Sequence, residues 1–199
     1  MTAKRRVAIL ISGRGTNMEK LIEASKEADY PAEIVGVISN KPDAAGLEFA
    51  KNQGIPTAVK SLKDFANKAE TDSAIDELLT EWKVEIVCLA GFMRLLSADF
   101  CEKWQGRLIN IHPSLLPDFK GLSTHERALE AEVSQHGCTV HFVTADMDDG
   151  PIIGQVAVPV LYGDTPSILT QRVLAAEHKL YPWALAQVAL GTITFEVAQ

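Results

Sequence analysis

The strongest constraint on this chain is an alternation that begins at once and persists. Val7 to Ile11 is an unbroken apolar run, Glu33 to Ser39 and Val84 to Leu89 are similar runs, and turns with helical spacing lie between them. Continuous apolar strands are buried on both faces, as in a parallel sheet covered by helices. Parallel neighbours need crossovers, and those crossovers are right-handed. The fold class is therefore α/β, with a doubly wound, mostly parallel sheet. Ligands on such sheets bind beyond the carboxyl ends of the strands.

The remaining elements follow the same periods. Ala45 to Gln53 reads as a short helix closed by Gly54, and Thr57 to Val59 as a short strand. Ser61 to Glu70 is polar and ambiguous, and Asp72 opens a helix with Ala74, Ile75, Leu78, Leu79 and Trp82 on one face. Ser97 to Trp104 and Thr124 to Val133 are further helices. Cys138 to Thr144 and Ile152 to Val160 read as a hairpin-like arm, an antiparallel C-terminal extension of the sheet. A helix from Thr165 to Ala189 buries Leu169, Val173, Ala176 and Leu180, and Pro182 should kink or interrupt it. Thr192 to Val197 is a candidate last edge strand.

Composition limits the class of partner. The 199 residues suit one domain, and 47% hydrophobic content supplies a sizeable core. A formal charge of -7 disfavours a nucleic-acid or anionic-membrane surface. Cys88, Cys101 and Cys138 are scattered and odd in number, as expected of reduced core thiols in a cytoplasmic protein. The apolar run after the basic start is too short for a signal peptide, and no segment is long enough to span a membrane. Monomer and homodimer both stay open.

Two stretches carry chemistry. Ser12-Gly13-Arg14-Gly15-Thr16-Asn17 joins the first strand to a helix bearing Met18, Leu21 and Ile22. Glycines let the backbone approach an anion, and free N–H groups at the helix start point at it. A dinucleotide fingerprint would need glycine where Met18 stands and an acid where Ser39-Asn40 stands, and a Walker Gly-Lys-Ser/Thr is absent. Gly15, Thr16 and Asn17 therefore suit a single phosphate, with a plain capped turn as the alternative. In Leu108-Ile109-Asn110-Ile111-His112-Pro113, Asn110 and His112 project to one side with Leu108, and Ile109 and Ile111 to the other. Pro113 ends the strand. A proton carrier beside an amide donor is what acyl-type transfer needs. The alternative is a turn-capping Asn110 and a structural His112. The stretch from Ala90 to Leu96 and the acidic loop Asp146 to Pro151 read by themselves as packing and as a solvated turn, and the latter lacks the spaced ligands of a calcium hand. Glu177 sits at the edge of the last helix's buried face.

Taken together, ISGRGTN, SNKPDAAGLEFA, LAGFMRLLS, INIHPSLLP, HGCTVHFVTADMDDGPII and AAEHKLYP resemble the folate-dependent formyltransferases over nearly the whole chain. Within that family the resemblance is to the members that formylate phosphoribosylglycinamide (GAR) in purine synthesis. It implies a Rossmann-like fold, 10-formyltetrahydrofolate as co-substrate and no metal. It further implies that Gly15, Thr16 and Asn17 hold the GAR phosphate and that Glu177 contacts the glycinamide. Met93, Arg94, Leu95 and Leu96 would contact the folate, largely through backbone groups, and Lys68 would lie near the ligands. Asn110 and His112 would face the formyl carbon, with Asp148 pairing with His112 and tuning it. Residues 1–105 would form mainly the GAR lobe, and 106–199 the catalytic and folate lobe. Asp149 stands where the family often has glycine, and Ser123 where some members have histidine. A formyltetrahydrofolate hydrolase would carry a second histidine where Pro113 stands, a tRNA formyltransferase lacks the SGRGTN loop, and a non-catalytic sugar-phosphate sensor would not need Asn110, His112 and Asp148 together.

Overall fold

Seven strands form one sheet in the order β3-β2-β1-β4-β5-β6-β7. The computed structural model describes residues 3–196. In chain order the elements are β1 (Arg5–Ile11), α1 (Thr16–Ser25), β2 (Ala32–Ser39), α2 (Ala45–Asn52), β3 (Thr57–Val59), a 3-10 turn (Leu62–Asp64) and α3 (Lys68–Glu81). They continue with β4 (Ile86–Leu89), α4 (Ala98–Lys103), β5 (Leu108–His112), α5 (Thr124–Glu130), β6 (Gln135–Phe142), β7 (Ile152–Pro159) and α6 (Pro166–Leu190). The first five strands pair in parallel, and β5–β6 and β6–β7 are antiparallel. The doubly wound sheet with its antiparallel extension is thus the observed architecture. The strand order reverses between β1 and β4, so the loops after these two strands flank the crevice where such sheets take ligands.

The two faces bury separate cores. Ile9, Ile11, Ile109 and Ile111 pack under α1, α2 and α6, while Ala8, Leu10, Val87 and Leu108 pack under α3 and α4. The alternation read along β5 is therefore correct, and Asn110 and His112 emerge on the Leu108 side. Tyr181 of α6 is fully buried and donates to the Leu89 and Ile109 carbonyls at 2.9 and 3.2 Å, tying the helix to the end of β4 and the first half of β5. All three cysteines are buried and unpaired.

Several boundaries differ from the sequence reading. Helix α3 starts at Lys68, four positions before Asp72, because the Asn67 side chain accepts from Glu70 N at 2.9 Å and Glu70 Oε2 accepts from Ala66 N at 3.2 Å. Helix α5 ends at Glu130, and β6 starts at Gln135 and ends at Phe142, short of Thr144. Helix α6 runs through Pro182 without interruption. Its buried face, including Leu180, Tyr181, Ala184 and Leu185, outweighs one missing hydrogen bond. Residues 192–196 form no strand, and Val197 lies outside the described residues. The Thr192 and Ile193 N–H groups instead turn back to the Gln187 carbonyl after Gly191 in left-handed conformation, closing α6. The Leu116–Pro117 peptide bond is cis.

Candidate active site

The strand β5 ends at the ligand edge of the sheet with His112, whose ring is buried between two loops. Its Nδ1 lies 3.4 Å from Asp148 Oδ2, and its Nε2 donates to the Phe119 carbonyl at 3.0 Å. Both ring nitrogens thus face oxygen acceptors. Asp148 comes from the β6–β7 connection, which folds back over β5. It is a non-glycine residue at φ 51°, and its Oδ2 also accepts from Gly121 N at 2.9 Å. The structure therefore brings together Asn110, His112 and Asp148.

The antiparallel register adds a residue that the sequence reading left without a role. Asn110 lies directly opposite His141 of β6, and His112 opposite Thr139. Opposed residues share a face, so His141 meets Asn110, with Nε2 3.2 Å from Asn110 Nδ2. His141 Nδ1 donates to the Phe142 carbonyl at 2.8 Å. Burial, the largest influence, holds the His141 pKa below the usual histidine range, against the opposing pull of that carbonyl and of Asp148. The signal was the alternation Thr139-His141 in β6; its meaning depended on which strand β6 pairs with.

The departure at Asp149 also acquires a contact: its carboxylate pairs with Lys120, joining the β6–β7 connection to the loop after β5. Gly150 follows, and its backbone packs so closely on β6 that an added Cβ would sit 1.7 Å from the Phe142 carbonyl oxygen. Glycine is required there by contact, not by φ.

A cleft opens beside these groups, lined by Asn110, His141 and Asp148, by Phe92, Arg94, Leu95 and Leu96, and by residues 143–147. The Arg94 side chain is held in a buried ion pair with Asp72 of α3, and Asp72 also accepts from Ser97 N at 2.8 Å. Asp72 is thus a structural anchor for the 90–97 loop, beyond its reading as a helix start. Met93 is not among the cleft-lining residues; its side chain is 64% exposed and its N–H donates to Ser12 Oγ at 2.8 Å. Lys68 is exposed on the first turn of α3, one turn before Asp72, and has no ion-pair partner among the described residues.

The glycine loop lies across the strand-order reversal. Gly15 adopts φ 74° and α1 has no side-chain cap, which leaves its first N–H groups for a ligand. Asn17 Nδ2 donates to Glu177 Oε2 at 2.7 Å, and Asn17 Oδ1 is buried without a partner. Glu177 is only 7% exposed and has no ion-pair partner among the described residues, and burial raises its pKa above the usual carboxylate range against the opposing pull of the Asn17 hydrogen bond. A raised folded-state pKa means that the folded chain holds this proton more tightly than the unfolded chain. The resulting cost is absent below the ordinary carboxylate range and grows as pH rises through it. Glu177→Gln keeps the acceptor for Asn17 and removes that cost. Its melting temperature should exceed wild type at pH 7, and the gap should close at acid pH. An equal or lower melting temperature at pH 7 would show that the carboxylate is not penalised.

Comparison with known proteins agrees with this geometry. The family model described as formyl transferase matches residues 5–185. The phosphoribosylglycinamide formyltransferase of Haemophilus influenzae is 44% identical over 189 residues, covering 95% of this chain and 89% of that protein. The trifunctional purine biosynthetic protein adenosine-3 of Homo sapiens is 55% identical over 190 residues, 96% of this chain but 19% of that protein. The chain therefore spans about a fifth of the length of these trifunctional relatives. Among solved structures, phosphoribosylglycinamide formyltransferase from Brucella melitensis superposes with a TM-score of 0.91 at 53% identity, covering 97% of this chain and all of that one. Glycinamide ribonucleotide transformylase 1 from Symbiobacterium toebii gives 0.95 at 43% identity, covering 98% of this chain and 92% of that one. On fold, site and sequence together, the chain belongs to the formyl transferase family, on its phosphoribosylglycinamide formyltransferase branch.

Proposed function

We propose that this chain transfers the formyl group of 10-formyltetrahydrofolate to the amine of GAR, a step of purine biosynthesis. The observation that carries this reading is a cleft lined by Asn110, His141 and Asp148 on the ligand edge of the sheet, with His112 held against Asp148 just behind the lining. The amine nitrogen attacks the formyl carbon, and negative charge gathers on the former carbonyl oxygen. Asn110 donates to that oxygen, together with His112 Nε2 once that nitrogen turns from the Phe119 carbonyl. The bond from the formyl carbon to the folate N10 then breaks. His112 moves the proton lost by the amine towards N10, directly or through water. Asp148 keeps the ring oriented through its contact with Nδ1. The reading needs no metal.

The two substrates approach from different sides. GAR places its phosphate on Gly15, Thr16 and Asn17 at the open start of α1 and its glycinamide near Glu177. There Asn17 Oδ1 and the Glu177 carboxyl offer acceptors without a cation. The folate lies in the cleft lined by Arg94, Leu95, Leu96 and residues 143–147. Met93 and Lys68 take outlying positions in this scheme: Met93 anchors the loop through Ser12, and Lys68 reaches the folate's charged tail. The phosphate loop comes from the first 105 residues and the catalytic strand from the remainder, while the cleft draws on both.

The direct test is the absorbance of the folate product when purified protein meets 10-formyltetrahydrofolate with and without GAR. GAR-dependent turnover is the expected result. Turnover without GAR would assign a hydrolase, and folate binding with no turnover in either mixture would assign a sensor.

A further inference from the structure

His141 has its tautomer chosen by the backbone. The Phe142 carbonyl oxygen is an acceptor only, so the nitrogen 2.8 Å from it, Nδ1, carries the proton. A neutral imidazole has one N–H, and Nε2 is left with a lone pair. That lone pair faces the Asn110 side chain. An amide offers N–H on one arm and C=O on the other, and a lone pair accepts only from the nitrogen arm. The contact therefore decides which way the Asn110 amide is turned.

We infer that His141 is a positioning residue: it turns the Asn110 amide so that its second N–H is presented to the reacting carbonyl oxygen. The inference rests on the proposed formyl transfer with Asn110 as oxyanion donor. The groups facing the ring are Asp148 from the β6–β7 connection, His112 from β5 and Lys120 from the loop after β5. Asp148 Oδ1 lies 3.8 Å from Nε2, beyond hydrogen-bond reach. With the proton on Nε2 instead, His141 would turn to Asp148 and compete with His112 for it, and Asn110 would be released. Gly150 guards against this outcome. Its backbone abuts the Phe142 carbonyl, so the acceptor that sets the tautomer is held in place.

The test uses His141→Phe, which removes the acceptor, and His141→Gln, whose side-chain carbonyl can take the place of Nε2. His141→Phe should lower kcat by about 100-fold, the effect of a misplaced catalytic group, with little change in either KM. His141→Gln should recover part of that loss. In an Asn110→Ala background, His141→Phe should cost nothing further, because its only route to the chemistry is through Asn110. A full additional loss in that background, or an unchanged kcat in the single variant, would overturn the inference. Nitrogen-15 NMR of the wild-type imidazoles gives a readout free of folding and of activity. The neutral Nδ1–H form of His141 is expected at pH 7, and an Nε2–H or doubly protonated ring would overturn the inference even if both variants fail to fold. Absence of GAR-dependent turnover in the wild type would remove the catalytic role along with the proposed function, while the NMR result would still judge the His141–Asn110 contact.

Discussion

Asn110→Ala is expected to lower kcat by about 10²–10³-fold, the usual cost of losing one oxyanion donor. The effect should fall on kcat and not on KM, because the donor matters only once charge has gathered on the carbonyl oxygen. The fold should survive. Asn110 is only partly buried, Leu108, Ile109 and Ile111 on the same strand supply the packing, and the backbone pairing of β5 with β4 and β6 does not use the side chain. The variant does leave His141 Nε2 without its donor, which adds a modest stability loss. Steady-state kinetics beside a thermal melt separates the two effects. Near wild-type turnover would remove Asn110 from the mechanism.

Asp148 should matter at least as much. Removing its charge leaves His112 Nδ1 facing a neutral amide in place of a carboxylate and weakens the orientation that the carboxylate imposes. General acid–base catalysis is typically worth about 10²–10⁴-fold, and Asp148→Asn should lose most of it. Asparagine is the better probe than alanine. The position is left-handed, at φ 51°, a conformation that asparagine tolerates and alanine resists. Asparagine can also accept the Gly121 N–H that now goes to Oδ2, so the loop after β5 keeps that anchor. Asp148→Ala should show the same loss of turnover with an additional loss of thermal stability. If Asp148→Asn turned over at the wild-type rate, the carboxylate would be a loop anchor only.

Those two residues also show how unevenly the site could be read. Asn110 and His112 were legible because a strand has a period of two, and Pro113 fixes where the strand ends. Asp148 was not legible from its own surroundings. An acidic, glycine-containing stretch looks like a solvated turn until something shows that it folds back over β5, and here that information came only through family resemblance. His141 fell between these cases, because its face was readable but its cross-strand partner was not. Register across an antiparallel pair is set by tertiary packing. The start of α3 had a local signal, the Asn67 and Glu70 capping pair, hidden in a polar stretch with no apolar period to draw attention to it. The burial of Asp72 had no such signal, since it depends on Arg94 arriving from another loop. The alternating architecture itself was the most legible feature, because unbroken apolar strands separated by amphipathic helices admit few arrangements.

The bond between Asn17 and Glu177 spans 160 positions of the chain. Proteins are made from the amino end, and the glycine loop emerges from the ribosome long before α6. Until α6 docks, the glycine loop has no carboxyl opposite it, and the β4 and β5 carbonyls that Tyr181 will cap stand open to water. The Asn17–Glu177 contact thus forms only after most of the sheet has been made, and under the proposed function a nascent chain cannot present a finished amine pocket beside the strand that carries His112. Closing so long a loop carries an entropic cost that only the packing of α6 against α1 and the sheet can offset. Under the proposed function, recognition of the acceptor is thereby coupled to the docking of α6.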